Sequence, residues 1–575
     1  MVVVTPGIDF IARHLVTFSV PSALFGVALR ALGATYGYYI PTWAVVSGSV
    51  LFIPFLFTAR VIYKRFSDRR QAAALGARLA PEINGKLIGN LDILSTMRRL
   101  WDTGYPADGL IEVMCDKGPT VNMRIMWVDM VFTSCPEHIK AILATDFNNY
   151  AKGMRFHRSM TRPFFTRDRI SDFELFDRHA DTAIALIKER MRIGQAIDFH
   201  DLMSRFTLDS ASEFLFGHCV HSLTAGLPWP HNAFYVPPES KTPQSQRAND
   251  FARAFLEAQE IISSRERYGW IWPLTEIFGD KTKEPMKIVN AYLDPIIQEA
   301  ITKRDAAPKS EEKNSDSHAE EGETLMDHLV RLTSDPVVLR DETLNIMIAG
   351  RDTTAATLTF VIYFLAMYPA VNARLREEIL AKVGPTRRPD YDDIRDMKYL
   401  RAVINETLRL FPIVPFNTRE NIHATTWSSP DPTQKPIYLP AGTKVPYSVF
   451  LMHRRKDLWG PDAEEFDPDR FLDDRLKKYL MKNSFIFLPF NAGPRICLGQ
   501  QFAYNEMSFF IIRFLQHFSS ISLDEEAAPP EARPPPHWAN GVGRKTIERV
   551  YPKIHLTMYA SGGLWVKTKD ADNNA

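Results

Sequence analysis

The feature that most restricts this chain is a run of 29 residues without a charged side chain, residues 31–59. About 20 apolar residues are enough to cross the hydrocarbon core of a bilayer. Aromatic residues stand near the start of the run and cations follow its end: Tyr38, Tyr39 and Trp43, then Arg60, Lys64, Arg65, Arg69 and Arg70. Such aromatics and cytoplasmic cations are typical of the two ends of a membrane span. We therefore expect a spanning helix at about 38–59, an anchor over residues 1–70 and a cytoplasmic chain beyond it.

A cleaved signal peptide or a buried core helix would also be apolar. A signal peptide has a shorter apolar part nearer the terminus, and a core helix seldom ends in five cations, so an anchor is favoured. An earlier apolar stretch, residues 15–29, has only 15 residues, contains Pro21 and lies between Arg13 and Arg30. It predicts a helix at the membrane surface rather than a second span, and hence a single-pass protein.

The rest of the chain has the composition of a large globular protein, with 575 residues of which 45% are hydrophobic. The 69 Lys and Arg residues nearly balance the 68 Asp and Glu residues, and a net charge of +1 argues against a nucleic-acid partner. The four cysteines form no C-x-x-C pair, and the chain has no G-x-x-x-x-G-K-[ST] or G-x-G-x-x-G motif. Redox chemistry here would therefore need electrons from another protein.

Five residues near the C-terminus meet the pattern F-x-x-G-x-R-x-C-x-G: Phe490, Gly493, Arg495, Cys497 and Gly499. A cysteine on such a loop, just before a helix, gains amide donors and the positive helix end, both of which favour its thiolate. The glycines allow close approach to a flat ligand, and the arginine can pair with an acid group on that ligand. A lone cysteine is more often an inert core residue, but these five positions seldom occur together by chance.

This pattern resembles the haem-binding signature of the cytochrome P-450 family, the haem-thiolate monooxygenases. The resemblance implies a mainly α fold with small β-sheets behind the transmembrane helix, with one catalytic domain over residues 71–575. It implies a haem whose iron takes its axial thiolate from Cys497, the expected metal ligand, with the other four motif residues around the cofactor. The sequence at residues 159–181 and 490–510 is similar to that of fungal alkane and fatty-acid hydroxylases of this family.

A second match to the family is Glu406 and Arg409, three residues apart on one face of a predicted helix, with Arg470 following in Phe-Asp-Pro-Asp-Arg-Phe. Taken alone, such a Glu/Arg pair is usually solvated and worth roughly 0.2–0.5 kcal/mol. The resemblance implies instead a buried ion network of these three residues that supports the haem-binding face. Their role would then be structural, not catalytic.

A third match is Ala-Gly-Arg-Asp-Thr-Thr at residues 349–354, inside a helical pattern over residues 341–368. In the family this motif lies on the long helix that crosses the haem, which implies catalytic roles for Asp352 and Thr353. Monooxygenation consumes two protons, and an acid beside a hydroxyl can relay them with water. The alternative is that Thr353 hydrogen-bonds back to its own helix and that Asp352 is solvated.

The segment after the Glu406 helix resembles the family's P-x-x-P-x-x-x-R turn. The match implies that Arg419 binds a haem propionate and that three neighbours line the substrate pocket: Ile413, Val414 and Phe416. Arg419 could instead form an ordinary surface pair with Glu420.

One region departs from the family pattern. Relatives carry a longer loop with a W-x-x-x-R element, whose Trp and Arg approach a haem propionate. Here Arg158 is present and is expected to bind the cofactor, but Met154 stands four residues before it and the loop is missing. The shortened 153–158 region opens the pocket, weakens haem retention or reflects an exon missed in the gene model; we favour the missed exon.

These patterns together predict a haem-dependent monooxygenase of the endoplasmic reticulum membrane with a cytoplasmic catalytic domain. It would insert one oxygen atom from O2 into a hydrophobic substrate of the fatty-acid, alkane, polycyclic aromatic or terpenoid type. Electrons would come from NADPH through a separate cytochrome reductase. A basic cluster is a candidate docking site for that reductase, or else a solvated helix face: Lys152, Arg155, Arg158, Arg162, Arg167 and Arg169.

Membrane lipid is the other expected partner, and no nucleic acid is expected. Two alternative functions stay open. One is a haem-thiolate isomerase or dehydratase that does not need O2. The other is an inactive protein that only binds hydrophobic ligands because its 153–158 region is shortened.

Overall fold

The computed structural model describes most of the chain: residues 4–114, 117–151, 160–162, 165, 173–233, 235–236, 242–306 and 324–571. Two long N-terminal helices precede a mainly helical body with small sheets, so the predicted fold class is confirmed. Arg158 and the whole 153–158 region lie outside the described residues. So do all members of the basic cluster except Arg162, which is exposed.

The N-terminal part consists of helices α1 (Pro6–Thr35) and α2 (Thr42–Ala74). The predicted span at 38–59 lies mostly in α2, which begins after Pro41 and continues through the basic residues, since Lys and Arg are good helix formers. The apolar stretch at 15–29 belongs to a helix of 30 residues that continues through Pro21 and through the charged residues on either side. Both helices are long and apolar enough to cross a membrane, so the expectation of a single span is not confirmed.

The other described α-helices belong to the body and are numbered in chain order: α3 (Leu91–Thr103), α4 (Leu110–Met114), α5 (Pro136–Lys140), α6 (Phe173–Arg192), α7 (Phe199–Phe216), α8 (Pro243–Tyr268), α9 (Lys283–Ala306), α10 (Leu325–Leu332), α11 (Pro336–Met367), α12 (Pro369–Lys382), α13 (Tyr391–Asp396), α14 (Lys398–Leu410), α15 (Val449–Met452), α16 (Lys456–Trp459) and α17 (Gln500–His517). Short 3₁₀ turns connect several of them, including Gly269–Glu276 after α8.

The strands of the described residues are short: β1 (Arg78–Leu79), β2 (Thr120–Asn122), β3 (Val131–Thr133), β4 (Tyr150–Ala151), β5 (Ile197–Asp198), β6 (Phe416–Asn421), β7 (Thr425–Trp427), β8 (Ile437–Leu439), β9 (Lys444–Ser448), β10 (Phe518–Leu523), β11 (Tyr551–Ile554), β12 (Met558–Ser561) and β13 (Trp565–Asp570). They form a five-stranded sheet in the order β2-β3-β9-β6-β4, two three-stranded sheets, β1-β8-β7 and β10-β13-β5, and the hairpin β11-β12. In the largest sheet β6 and β9 are antiparallel, with Arg419 opposite Val445.

Helix α11 runs through the core of the body. It has 32 residues and begins five residues before the predicted 341–368 pattern, because the Asp335 side chain caps it and Pro336 occupies its first turn. Every residue from 354 to 365 is buried. The helix packs against α7, α14 and α17, which brings the 349–354 motif near the helix that follows Cys497.

Candidate active site

Cys497 lies on a tight loop between the 3₁₀ turn Ser484–Ile486 and helix α17. Two backbone hydrogen bonds close the loop: the Cys497 N–H donates to the Phe490 carbonyl at 2.9 Å, and the Ile496 N–H donates to the Gly493 carbonyl at 3.1 Å. Because α17 begins three residues after the cysteine, the loop stands at the positive end of an 18-residue helix. The local structure is therefore the thiolate-favouring arrangement that the sequence predicts.

Cys497 differs from the other described cysteines in its exposure. It is exposed, whereas Cys135 is buried and Cys219 is half-buried. Burial raises the pKa of both Cys135 and Cys219 to about 12, so these two groups are neutral thiols near pH 7. Of the three, only the Cys497 sulfur is both accessible to a large ligand and placed to be a thiolate.

The two motif glycines have different surroundings. Gly493 has a φ of 60°, and a Cβ there would collide with the carbonyl oxygen of Leu143. This glycine therefore allows the cysteine loop to pack closely on the turn that follows α5. Among the described residues, a Cβ at Gly499 would meet Phe165 alone, at an ordinary 3.8 Å.

Arg495 is half-buried, with its guanidinium 5.3 Å above the ring of Phe147. Phe490 is also half-buried, and its ring lies 5.1 Å from that of Tyr504 on α17. The cysteine loop is thus held by aromatic contacts on both sides. Arg495 is the motif's cation, and it stands two residues before Cys497.

Arg419 connects to the cysteine loop through an aromatic residue. It is buried on β6, donates to the Thr418 carbonyl at 2.7 Å and lies 5.9 Å from the ring of Tyr447 on β9. The Tyr447 hydroxyl donates to Asn491 Oδ1 at 2.8 Å, and Asn491 belongs to the cysteine loop. Burial of Arg419 does not fit the alternative of a surface pair with Glu420.

Asp352 and Thr353 stand near the middle of α11 and have different partners. Asp352 accepts from Arg351 Nη1 at 3.2 Å and interacts with the Gln259 side chain of α8. Burial raises the pKa of Asp352, and Arg351 partly opposes that rise. Thr353 donates its hydroxyl to the Ala349 carbonyl at 2.7 Å. The alternative of a back-bonded threonine therefore holds, but that of a solvated Asp352 does not.

Glu506 is a buried acid on α17 that the sequence reasoning missed. Its side chain interacts with Ser210 of α7 and with Thr354 of α11, the neighbour of Thr353. Burial raises its pKa to about 8, and the two hydroxyls oppose that rise. This carboxyl joins the helix that follows Cys497 to the helix that carries the acid and hydroxyl. It is the only acidic residue of α17, and an acid in so apolar a helix was the available signal.

Glu406, Arg409 and Arg470 form one buried ion network. Arg409 binds Glu406 with two hydrogen bonds, at 2.7 and 2.8 Å, and Arg470 Nε lies 3.5 Å from Glu406 Oε1. All three side chains are at most 1% exposed. Arg409 also donates to the carbonyl oxygens of His453 and Glu465, at 2.8 and 3.0 Å. These contacts are those of a core network rather than of a solvated pair.

His453 links this network to the cysteine loop. Its Nε2 accepts the Leu488 N–H at 2.9 Å, and Leu488 stands two residues before Phe490. Its own carbonyl is one of those that Arg409 binds. Burial lowers the pKa of His453 to about 3, so the ring is neutral and keeps an acceptor nitrogen for Leu488. A single histidine after an apolar stretch carries no sequence signal.

The three predicted pocket residues lie where the chain leaves α14 for β6. Ile413 is buried, and its carbonyl accepts the Met558 N–H at 2.8 Å, next to the β11-β12 hairpin. Val414 is half-buried. The half-buried ring of Phe416 lies 6.0 Å from that of Trp101. An apolar lining at this position is consistent with the prediction, which stays a prediction.

Comparison with known proteins identifies the family. Residues 112–546 match the family model described as Cytochrome P450. The chain belongs to the cytochrome P450 family. The resemblance predicted from the sequence and the enzyme class, a P450 monooxygenase, are thereby confirmed.

The curated relatives of this P450 include fungal proteins. The chain is 38% identical over 421 residues to cytochrome P450 52-M1 of Starmerella bombicola, an alignment covering 68% of this chain and 76% of the relative. It is 31% identical over 558 residues to cytochrome P450 52A13 of Debaryomyces hansenii, covering 92% and 98%. It is 35% identical over 444 residues to cytochrome P450 monooxygenase pvhE of Talaromyces variabilis, covering 70% and 76%.

Proposed function

We propose that this P450 hydroxylates a long-chain apolar substrate of the fatty-acid or alkane type. The reaction consumes the substrate C–H, O2, two electrons and two protons, and gives an alcohol and water. The observation that carries the proposal is the exposed Cys497 on a closed loop at the start of α17. The buried Glu406–Arg409–Arg470 network is connected to that loop through His453.

The residues present fit a haem. Cys497 would hold its iron through the sulfur, the ligand type that defines this family. Arg495 and Arg419 are the cations that would pair with its two propionates, together with Arg158 of the undescribed part. Phe490, Gly493 and Gly499 would form the loop surface beside it. When bound, the haem supplies the activation of dioxygen.

The chain itself would supply the protons. The Asp352 side chain is only 9% exposed and its pKa is raised, so a fraction of this group can hold a proton nearer neutral pH than an ordinary aspartate does. Thr353 donates to the Ala349 carbonyl, which leaves its oxygen lone pairs free to accept a hydrogen bond from water. We assign proton delivery to these two adjacent residues and the water between them.

The substrate class rests on two supports. The chain resembles fungal alkane and fatty-acid hydroxylases, and its curated relatives include several members of the cytochrome P450 52 group. The predicted pocket residues, Ile413, Val414 and Phe416, are apolar and offer no charged partner to a substrate. Electrons would come from NADPH through a separate reductase in the endoplasmic reticulum, with the catalytic domain on the cytoplasmic side.

The test is product formation in microsomes that contain this protein and a cytochrome P450 reductase. Dodecanoic acid and hexadecane are supplied with and without NADPH and O2, and hydroxylated products are measured. The proposal predicts products that require both. A product that forms without O2 would instead indicate an isomerase or dehydratase.

The haem content of the purified protein distinguishes the proposed enzyme from an inactive ligand-binding protein. A folded protein that retains apolar ligands but no haem would be the inactive ligand-binding protein, and sequencing the transcript across residues 149–158 would then show whether an exon is missing. Cys497→Ser should lose activity. The matched control is Cys135→Ser, at a buried cysteine outside the proposed site, and this variant should keep both haem and activity.

A further inference from the structure

Helices α1 and α2 pack against each other as an antiparallel pair. The rings of Phe25 and Phe52 stack at 4.2 Å and 4°. Closer to the connection between the helices, a Cβ at Gly26 would lie 2.6 Å from the Ser49 hydroxyl oxygen. Small residues that allow such close approach are typical of helix pairs inside membranes. A helix lying flat at the membrane surface would cross a spanning partner at one point instead of following it.

Both helices contain an uncharged stretch of similar length, and an arginine borders each stretch at the end nearer the catalytic domain. In α1 an uncharged stretch separates Arg13 from Arg30, which at 1.5 Å per residue spans about 25 Å. In α2 the stretch from Thr42 to Arg60 spans about 27 Å. The hydrocarbon core of the endoplasmic reticulum bilayer is about 27 Å thick, and arginine side chains can extend toward the headgroups. Each helix is therefore long enough to cross by itself.

The connection between the helices has the character of a membrane interface. Residues 36–41 join the helix ends, and the exposed aromatics there and at the start of α2 include Tyr36, Tyr38, Tyr39 and Trp43. Arg30 Nη2 donates to the Thr42 hydroxyl at 3.3 Å across the same end of the pair. Tyrosine and tryptophan are enriched where a span meets the headgroups. This end lies opposite the one that continues into the catalytic domain.

The other end of α1 contacts the catalytic domain. The Thr5 hydroxyl donates to the Ile277 carbonyl at 2.6 Å. The ring of Trp270, on the 3₁₀ turn Gly269–Glu276, lies 5.9 Å from the rings of both Phe10 and His14. An N-terminus on the far side of the membrane could make none of these contacts.

The same end of α2 contacts a different part of that domain. The ring of Phe57 meets that of Trp127 edge to face at 4.9 Å, and Lys64 pairs with Asp129 at 2.7 Å. Trp127 lies in the tight turn between β2 and β3. Two tryptophans of the catalytic domain thus stand near the ends of the two uncharged stretches, which Arg13 and Arg60 border. This is where interfacial tryptophans are expected.

We propose that the anchor is a two-pass helical hairpin whose N-terminus lies on the same side of the membrane as the catalytic domain. The turn at residues 36–41 would lie on the opposite side. The first turns of α1 dock on the Gly269–Glu276 segment, so the catalytic domain is held to the bilayer at two separate points. This proposal rests on the cytoplasmic placement of the domain but not on its chemistry.

The test uses the full chain in microsomes, with an epitope tag at the N-terminus. Protease is added to intact vesicles and to vesicles opened with detergent. The two-pass hairpin predicts that the tag is removed from intact vesicles, while a resident lumenal protein survives. A membrane-impermeant maleimide then probes Tyr39→Cys, whose extra labelling over the parent chain should appear only after the vesicles are opened. Val4→Cys, the matched control at the other end of α1, should be labelled in intact vesicles.

A tag that survives in intact vesicles would show a lumenal N-terminus and a single span, and would overturn the proposal. A removed tag together with labelling of Tyr39→Cys from outside would also overturn it, because the hairpin would then enter the membrane without crossing. The reduced carbon monoxide spectrum and NADPH-dependent product formation are measured on the same vesicles. Failure of the topology can therefore be told apart from failure of the proposed function.

Discussion

Replacing Glu506 with glutamine tests whether the buried acid between α17 and α11 is protonated. Glutamine keeps the size of the neutral carboxyl and cannot ionise. Burial holds the pKa of Glu506 at about 8, against an ordinary 4.5. At 1.36 kcal/mol for each pH unit, that difference corresponds to about 5 kcal/mol between the fully protonated and fully ionised limits.

The sign follows from the raised pKa. The stability that the protonated Glu506 contributes is fully present below pH 4.5 and is lost as the pH rises through 8. The free energy of unfolding of the parent protein should therefore fall by roughly 3–4 kcal/mol relative to Glu506→Gln between pH 5 and pH 8. Above pH 8 the difference should level off.

Denaturant unfolding of both proteins, followed by circular dichroism at several pH values, gives this difference directly. Glu531→Gln, at an exposed position, is the matched control and should show no pH-dependent difference from the parent. Parallel curves for the parent and Glu506→Gln from pH 5 to 8 would contradict a raised pKa of Glu506 in the folded protein. They would mean that the folded chain ionises Glu506 as readily as the unfolded chain does.

Three further substitutions test the site. Arg409→Ala removes both hydrogen bonds to Glu406 together with the buried cation and should cost about 3–5 kcal/mol in denaturant unfolding, with a lower yield of haem-containing protein. His453→Phe leaves the Leu488 N–H without its acceptor and should cost about 1–3 kcal/mol in denaturant unfolding, with no change in the pH dependence near neutrality. Thr353→Val removes the hydroxyl and should lower the product formed per NADPH consumed at least several-fold, with haem content unchanged.

The parts of the site that follow from the sequence are those written as contiguous motifs. The residues of the Cys497 loop, like those of the Glu406–Arg409 pair, lie at fixed spacings within one short segment. Such a segment predicts both the residues involved and their local geometry. Arg470 joins that pair from a distance, and only the family resemblance indicated it. Arg158 lies outside the described residues, so its role stays a prediction.

Contacts between distant segments could not be derived in this way. His453 meets Leu488, and Glu506 meets Ser210, across separations that no local pattern encodes. The same reason explains why the full extent of α1 was not predicted: its apolar run of 15 residues alone indicated a surface helix. The helix continues through charged residues, and the stacking of Phe25 on Phe52 depends on two helices at once.

The central claim is that Cys497 binds a haem iron as a thiolate. The most direct test is the carbon monoxide difference spectrum of the reduced, microsomally expressed protein beside its Cys497→Ser variant. Thiolate ligation predicts a strongly red-shifted Soret band in the parent protein and its loss in the variant. Folded, haem-containing parent protein without that band, or an unchanged band in Cys497→Ser, would contradict it.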